Sequence, residues 1–278
     1  FGGTKILSKV TSYGFLIGTV LPGVIVIILG IVWVAMKKPL GFEELTASET
    51  AVATVVNGHV SPRWFPNLSN VNNLSYLSGI VLLFAGVEVQ AVHASEMENP
   101  KKQYPLAIFI SSVIVFALFT FGSLAIAAVV PNSQLQLESG LMQALSTMLD
   151  AVNMKWVLYI LAFCVAFGSL GGVLSWISGP SKGLLNTAKD GLLPSKLAET
   201  TQAGAPKNMM LIQGAIVTVL ACLYFVMKDV SVAFFLLSAL TVAVYIIMYL
   251  MMYMAAIVLR KKQPNMERPY KAPALKLL

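Results

Sequence analysis

Apolar residues in this 278-residue chain come in long unbroken runs, not at the three-and-four spacing of a helix with one wet face or in the alternation of a half-buried strand. Six runs are long enough to cross a hydrocarbon layer, which takes about 20 residues of helix. They are Gly14 to Met36, Leu74 to Val92, Leu106 to Val130, Trp156 to Ser181, Asn208 to Met227 and Val230 to Leu259. All but the second are free of Asp, Glu, Lys and Arg. Helices are expected throughout, because backbone groups in lipid must be satisfied within the segment and no ten-residue alternation marks a barrel. The pattern predicts an all-α polytopic membrane protein with six transmembrane helices.

Composition supports this. The chain is 57% hydrophobic and 11% charged, with a mean hydropathy of +0.79, whereas a soluble domain is about one-quarter charged. That argues against a water-soluble enzyme. No metal-ligand spacing, nucleophile elbow or phosphate loop is present, and the two histidines, His59 and His93, are far apart in sequence. No enzymatic activity and no cofactor are expected. The net charge of +7 sits between the apolar runs, so it reads as membrane topology and not as a nucleic-acid footprint. Of the 19 basic residues, 14 fall on one side of the six runs, the tail RKKQPNMERPYK included. By the positive-inside rule both ends of this chain are expected in the cytoplasm.

The chain starts at Phe1 with no signal-peptide pattern before the first run, and reads as part of something longer. Cys164 and Cys222 lie inside apolar runs and are expected to be small buried hydrophobes with no disulfide. The segment from Lys37 to Asn73 reads as a solvated connector or a lid. It holds two glycosylation sequons, Asn67-Leu-Ser69 and Asn73-Leu-Ser75, which carry no meaning in a bacterial protein. From Gly140 to Leu149 apolar residues recur at helical spacing, predicting a surface helix across the bundle mouth.

The second run, LSYLSGIVLLFAGVEVQAVHASEMENP, alone carries an ionisable acid within it, Glu88. A carboxylate at mid-membrane costs at least about 2.5 to 3.5 kcal/mol on insertion scales, so it has to be partnered, protonated or wet. It follows Gly86 closely, the residue best able to tolerate a local break in the helix. One reading is a discontinuous helix whose ends offer carbonyls to an ammonium group and amides to a carboxylate, a site for zwitterions. The other is an acid snorkelling to a nearby interface, with Gly86 serving close packing. His93 and Glu96 belong either to a proton path or to a plain interfacial position.

In the fourth run, Gly168-Ser-Leu-Gly171-Gly172 suits close helix approach and Pro180 is expected to end or kink the helix. Trp176 is either a substrate-facing gate or an interior aromatic. Tyr245 and Tyr249 in the last run share a face at i and i+4. That face either lines a polar cavity or packs in the bundle.

These residues are also where the chain resembles the amino acid-polyamine-organocation (APC) transporter superfamily. FAGVEVQAVHASEMENPKKQYPLA is similar to its broken sixth helix and the loop after it. VVPNSQLQLESGLMQAL, SWISGPSKGLLNTAKDGLLP and RPYKAP resemble the bacterial glutamate:γ-aminobutyrate antiporter branch. The resemblance implies that the six runs match helices five to ten of a LeuT-like five-plus-five inverted-repeat fold, with the first repeat mostly absent, so that this chain alone does not transport. It further implies that the carbonyls around Leu82, Leu83, Phe84 and Ala85, with Gly86 and Val87 at the break, receive the substrate amino group. Glu88 would be the pH-linked or gating acid, and Trp176, Tyr245 and Tyr249 would line the path. Where that branch carries an acid one turn before the tryptophan, this chain has Gly172.

The function expected from this is an antiporter of the inner membrane exchanging glutamate for γ-aminobutyrate or a related amino acid by alternating access. Its partners are a small amino-acid substrate and the lipid bilayer. Two alternatives stand beside it. One is a proton-coupled symporter of neutral or cationic amino acids, which Gly172 suits. The other is a non-transporting receptor or assembly partner, which requires an unbroken helix from Ser78 to Ser95.

Overall fold

The computed structural model describes residues 3–44, 53–56, 59–62, 74–136, 138–202, 204–227 and 229–268. The first crossing opens with α1 (Gly3–Phe15), passes through a π turn at Leu16–Val20 and continues as α2 (Leu21–Ala35). The π register has a local cause. Pro22 has no N–H for the carbonyl of Gly18, and the preceding amide, Leu21 N, reaches back five residues to Leu16 O.

After a short hairpin, β1 (Ala53–Val56) paired antiparallel with β2 (His59–Pro62), come α3 (Leu74–Phe84) and a 3-10 stretch at Val87–Glu96. The remaining helices are α4 (Pro100–Val129), α5 (Gly140–Ala151), α6 (Val157–Lys189), α7 (Lys207–Ala221), α8 (Leu223–Val226) and α9 (Val230–Lys262). Five stretches among the described residues are long and apolar enough to cross a membrane: Ser8–Ala35, Pro100–Val129, Val157–Lys189, Lys207–Val226 and Val230–Lys262. The second of the six expected spans is not a single helix, because it breaks after Phe84.

Helices overrun the charge-free runs that predicted them. α6 passes Pro180 and ends at Lys189, and α9 continues to Lys262. A charge-free run marks only the hydrocarbon depth, while lysine and arginine stems let a helix extend into the headgroup layer. Pro180 therefore does not end α6.

The core sits where α5 docks. Ala144, Leu145, Met148 and Leu149 are almost wholly buried against Val26, Trp33, Ala125, Val129 and Leu161 from α2, α4 and α6. The helix expected at the bundle mouth is thus present, with its apolar face driven into the bundle. Elsewhere large apolar side chains such as Phe109, Phe163 and Ile247 point outward, as expected where the solvent is lipid. α1 and α6 cross backbone to backbone. A methyl at Gly18 would collide with Gly168, and one at Gly14 would lie 3.2 Å from Gly171 Cα. Cys164 is buried in α6, whereas Cys222 is exposed at the α7–α8 junction, against the expectation of burial; both are free thiols. The β-hairpin was not expected from the sequence; the first sequon, and Asn73 of the second, fall outside the described residues.

Candidate functional site

α3 ends by tightening. The amide of Ala85 bonds the carbonyls of both Val81 (3.1 Å) and Leu82 (3.2 Å), after which Gly86 turns into the left-handed region at φ +98°. Only glycine adopts that region without strain. The chain resumes as a 3-10 stretch whose first bond is Val89 N to Gly86 O at 3.1 Å. The interruption is therefore at Ala85-Gly86. Of the carbonyls expected to face a substrate, that of Leu82 accepts from Ala85, while Leu83 and Phe84 close the last turn of a helix, where carbonyls lack helical donors.

Glu88 folds back on this break. Its Oε2 accepts from the Gly86 amide at 3.2 Å and from the Tyr249 hydroxyl at 3.1 Å. Its Oε1 is buried with no hydrogen-bond partner among the described residues. A snorkelling acid would present both oxygens to water; this one is held inward by an amide and a phenol. An unpaired buried carboxylate oxygen is costly, and an ammonium donor relieves it.

Trp176 closes the site from α6. A methyl at Gly86 would lie 2.5 Å from Trp176 Cη2, so the indole rests directly on the break. Its ring meets Tyr245 edge-on at 6.3 Å between centroids. Tyr245 then meets Tyr249 at 5.7 Å, and Tyr249 meets Tyr253 at 6.4 Å. The i and i+4 pair predicted on α9 thus extends one turn further. Below the indole, Val89 and Val92 seat against Gly179 and Gly183 of α6, which fixes the 3-10 segment against that helix. His93 and Glu96 lie in this segment, and their side chains are outside the described ones.

Beside the break is a cavity of about 620 Å³ between α1, α4 and α6. Leu83, Ala85, Gly86 and Trp176 line it, whereas Leu82, Phe84, Glu88, Tyr245 and Tyr249 do not; the Val87 side chain is outside the described ones. The expected site residues therefore form two linked groups: a cavity wall, and an acid with its tyrosines joined to that wall through Trp176 and the Gly86 backbone. Sequence reasoning missed Thr11, Thr19, Tyr104 and Ser111, which also line the cavity. Their only signal was a hydroxyl inside or beside an apolar run. Gly172 lines it too, and a methyl there would meet nothing within 4 Å. No group of three or more His, Cys, Asp or Glu able to hold a metal occurs among the described residues.

Comparison with known proteins bears on the family of the chain. The sequence profile of the amino acid permease family matches residues 1–277. The chain belongs to the amino acid permease family, within the APC superfamily. This permease is 36% identical over 271 residues to an uncharacterized transporter of Legionella pneumophila, covering 98% of this chain and 55% of the relative. It is 32% identical over 275 residues to a glutamate/gamma-aminobutyrate antiporter of Lactococcus lactis, covering 98% of this chain and 52% of the relative. A probable agmatine/putrescine antiporter of Lactococcus lactis is 27% identical over 205 residues, covering 73% of this chain and 43% of the relative. The chain spans about half the length of these curated relatives. Family membership and apolar helices make it a multi-pass membrane protein of the amino acid permease family.

Proposed function

We propose that this permease is a pH-linked antiporter of the bacterial inner membrane, exchanging glutamate for γ-aminobutyrate or a related amino acid by alternating access. The observation that carries the reading is the Glu88 carboxylate folded onto the Ala85-Gly86 break with one buried oxygen unpaired. In this reading the carbonyls at the end of α3 receive the substrate amino group, and Glu88 is the proton-linked gate. Trp176, Tyr245 and Tyr249 form the wall that shifts as access alternates. The broken segment serves as a sixth crossing, and the six crossings correspond to helices five to ten of a LeuT-like inverted-repeat fold. Support for the substrate pair comes from the named Lactococcus relatives and the motifs shared with that branch.

A second reading has its own observation. Gly172 leaves open, uncharged space on the cavity wall, which suits a proton-coupled symporter of neutral or cationic amino acids. A receptor or assembly partner with an unbroken second span is not supported by the break at Gly86.

The test is uptake of labelled glutamate into liposomes holding the full-length protein. The antiporter reading expects uptake only when γ-aminobutyrate or a related amino acid is loaded inside. Glutamate uptake indifferent to internal substrate contradicts exchange, and uptake driven by a proton gradient alone selects the symporter.

A further inference from the structure

Pro180 lies in the interior of α6, which runs on from Val157 to Lys189 as one helix. Proline has no N–H, so the carbonyl four residues before it loses its helical donor. That carbonyl belongs to Trp176, the residue whose indole rests on Gly86. In lipid such a group needs another donor.

α7 supplies it. Gln213 Nε2 donates to Trp176 O at 3.4 Å, and Gln213 Oε1 accepts from the Ser181 hydroxyl at 2.7 Å. The orientation of the amide is dictated by chemistry: a backbone carbonyl only accepts, so the NH₂ must face Trp176 and leave the oxygen for Ser181. Ser181 is 2% exposed and is the sole polar side chain in the buried class among the described residues. Gln213 itself stands in an apolar run of α7 that offers no other reason for an amide side chain.

We propose that Gln213 is a positioning residue: by replacing the hydrogen bond that Pro180 removes, it sets the height at which Trp176 sits on the Ala85-Gly86 break. Ser181 holds the Gln213 amide in register. The link joins α7, otherwise outside the site, to the indole, and through the indole to Tyr245, Tyr249 and Glu88.

The experiment is ¹⁹F NMR of the full-length protein labelled with 5-fluorotryptophan, with the Trp176 resonance assigned by Trp176→Phe. Gln213→Leu is expected to move or broaden that resonance and leave Trp156 unchanged. With Pro180→Ala, which returns an N–H to Trp176 O, the further change Gln213→Leu is expected to leave Trp176 where it is. Equal movement in both backgrounds, or none in either, overturns the proposal. Should Gln213→Leu not fold, Gln213→Met carries the same expectation, since it keeps the length of the side chain and a weak sulfur acceptor for Ser181 and has no donor. This spectrum needs no substrate, so its outcome is independent of the antiporter reading. Where exchange is measured, Gln213→Leu is expected to raise KM about fivefold, the worth of one modest hydrogen bond, and Pro180→Ala to restore it.

Discussion

Gly86 is required for two separate reasons, and they coincide at one Cα. Its φ of +98° excludes a side chain on conformational grounds, and the Trp176 indole occupies the place a Cβ would take. Gly86→Ala is therefore expected to cost at least about 1 to 3 kcal/mol at the break and to abolish uptake. Gly172→Ala, placed in open space, should leave both uptake and thermal stability near the parent; parallel losses in the two variants would contradict the assignment. Gly86, Glu88, Trp176 and the tyrosine pair were legible in the sequence because each is anomalous against an apolar background. Tyr104, Thr11, Thr19, Ser111 and Gln213 were not. A hydroxyl in a membrane helix often bonds its own backbone, as Thr218 and Thr241 do here, so spacing does not tell which ones face a cavity. Nor does spacing reveal that Gln213 lies opposite the carbonyl Pro180 leaves bare.

At the scale of the element, five of the six expected spans are helical stretches long and apolar enough to cross a membrane, one with a π turn and one with a turn at Cys222, and the remaining one, the second, is two short pieces. The runs were legible because lipid demands them. Where each helix stops was not, because lysine-bearing ends and Pro180 are absorbed by snorkelling stems and by a neighbouring amide. The π turn at Leu16–Val20 follows locally from Pro22, whereas the close approach of α6 to Gly18 had no such local signal. That approach makes Gly18 the most sensitive position on the first crossing. Gly18→Leu is expected to force α1 from α6 and lower the melting temperature of the purified protein in detergent by several degrees, with Gly23→Leu, facing only a Leu118 side chain, milder. Equal melting temperatures for Gly18→Leu and the parent would mean the contact is not made.

For the whole molecule, the broken segment decides topology. Five crossings alone would leave the two ends of this chain on opposite sides of the bilayer; in the proposed reading the broken segment acts as a sixth and returns them to one side, which would then carry 14 of the 19 basic residues. Single cysteines introduced by Ser8→Cys and by Lys262→Cys, with the native cysteines replaced, are expected to react with an impermeant maleimide from the cytoplasmic face alone. Labelling from opposite faces would remove the sixth crossing. Exchange is also a property of the whole molecule, and it offers the most direct examination of the acid at the break. The measurement is the pH profile of amino-acid exchange by the full-length protein in liposomes, parent against Glu88→Gln. With a permanently neutral amide at this position, exchange is expected to persist toward neutral pH with a flattened profile, whereas two superimposable profiles would contradict a proton-linked role for Glu88.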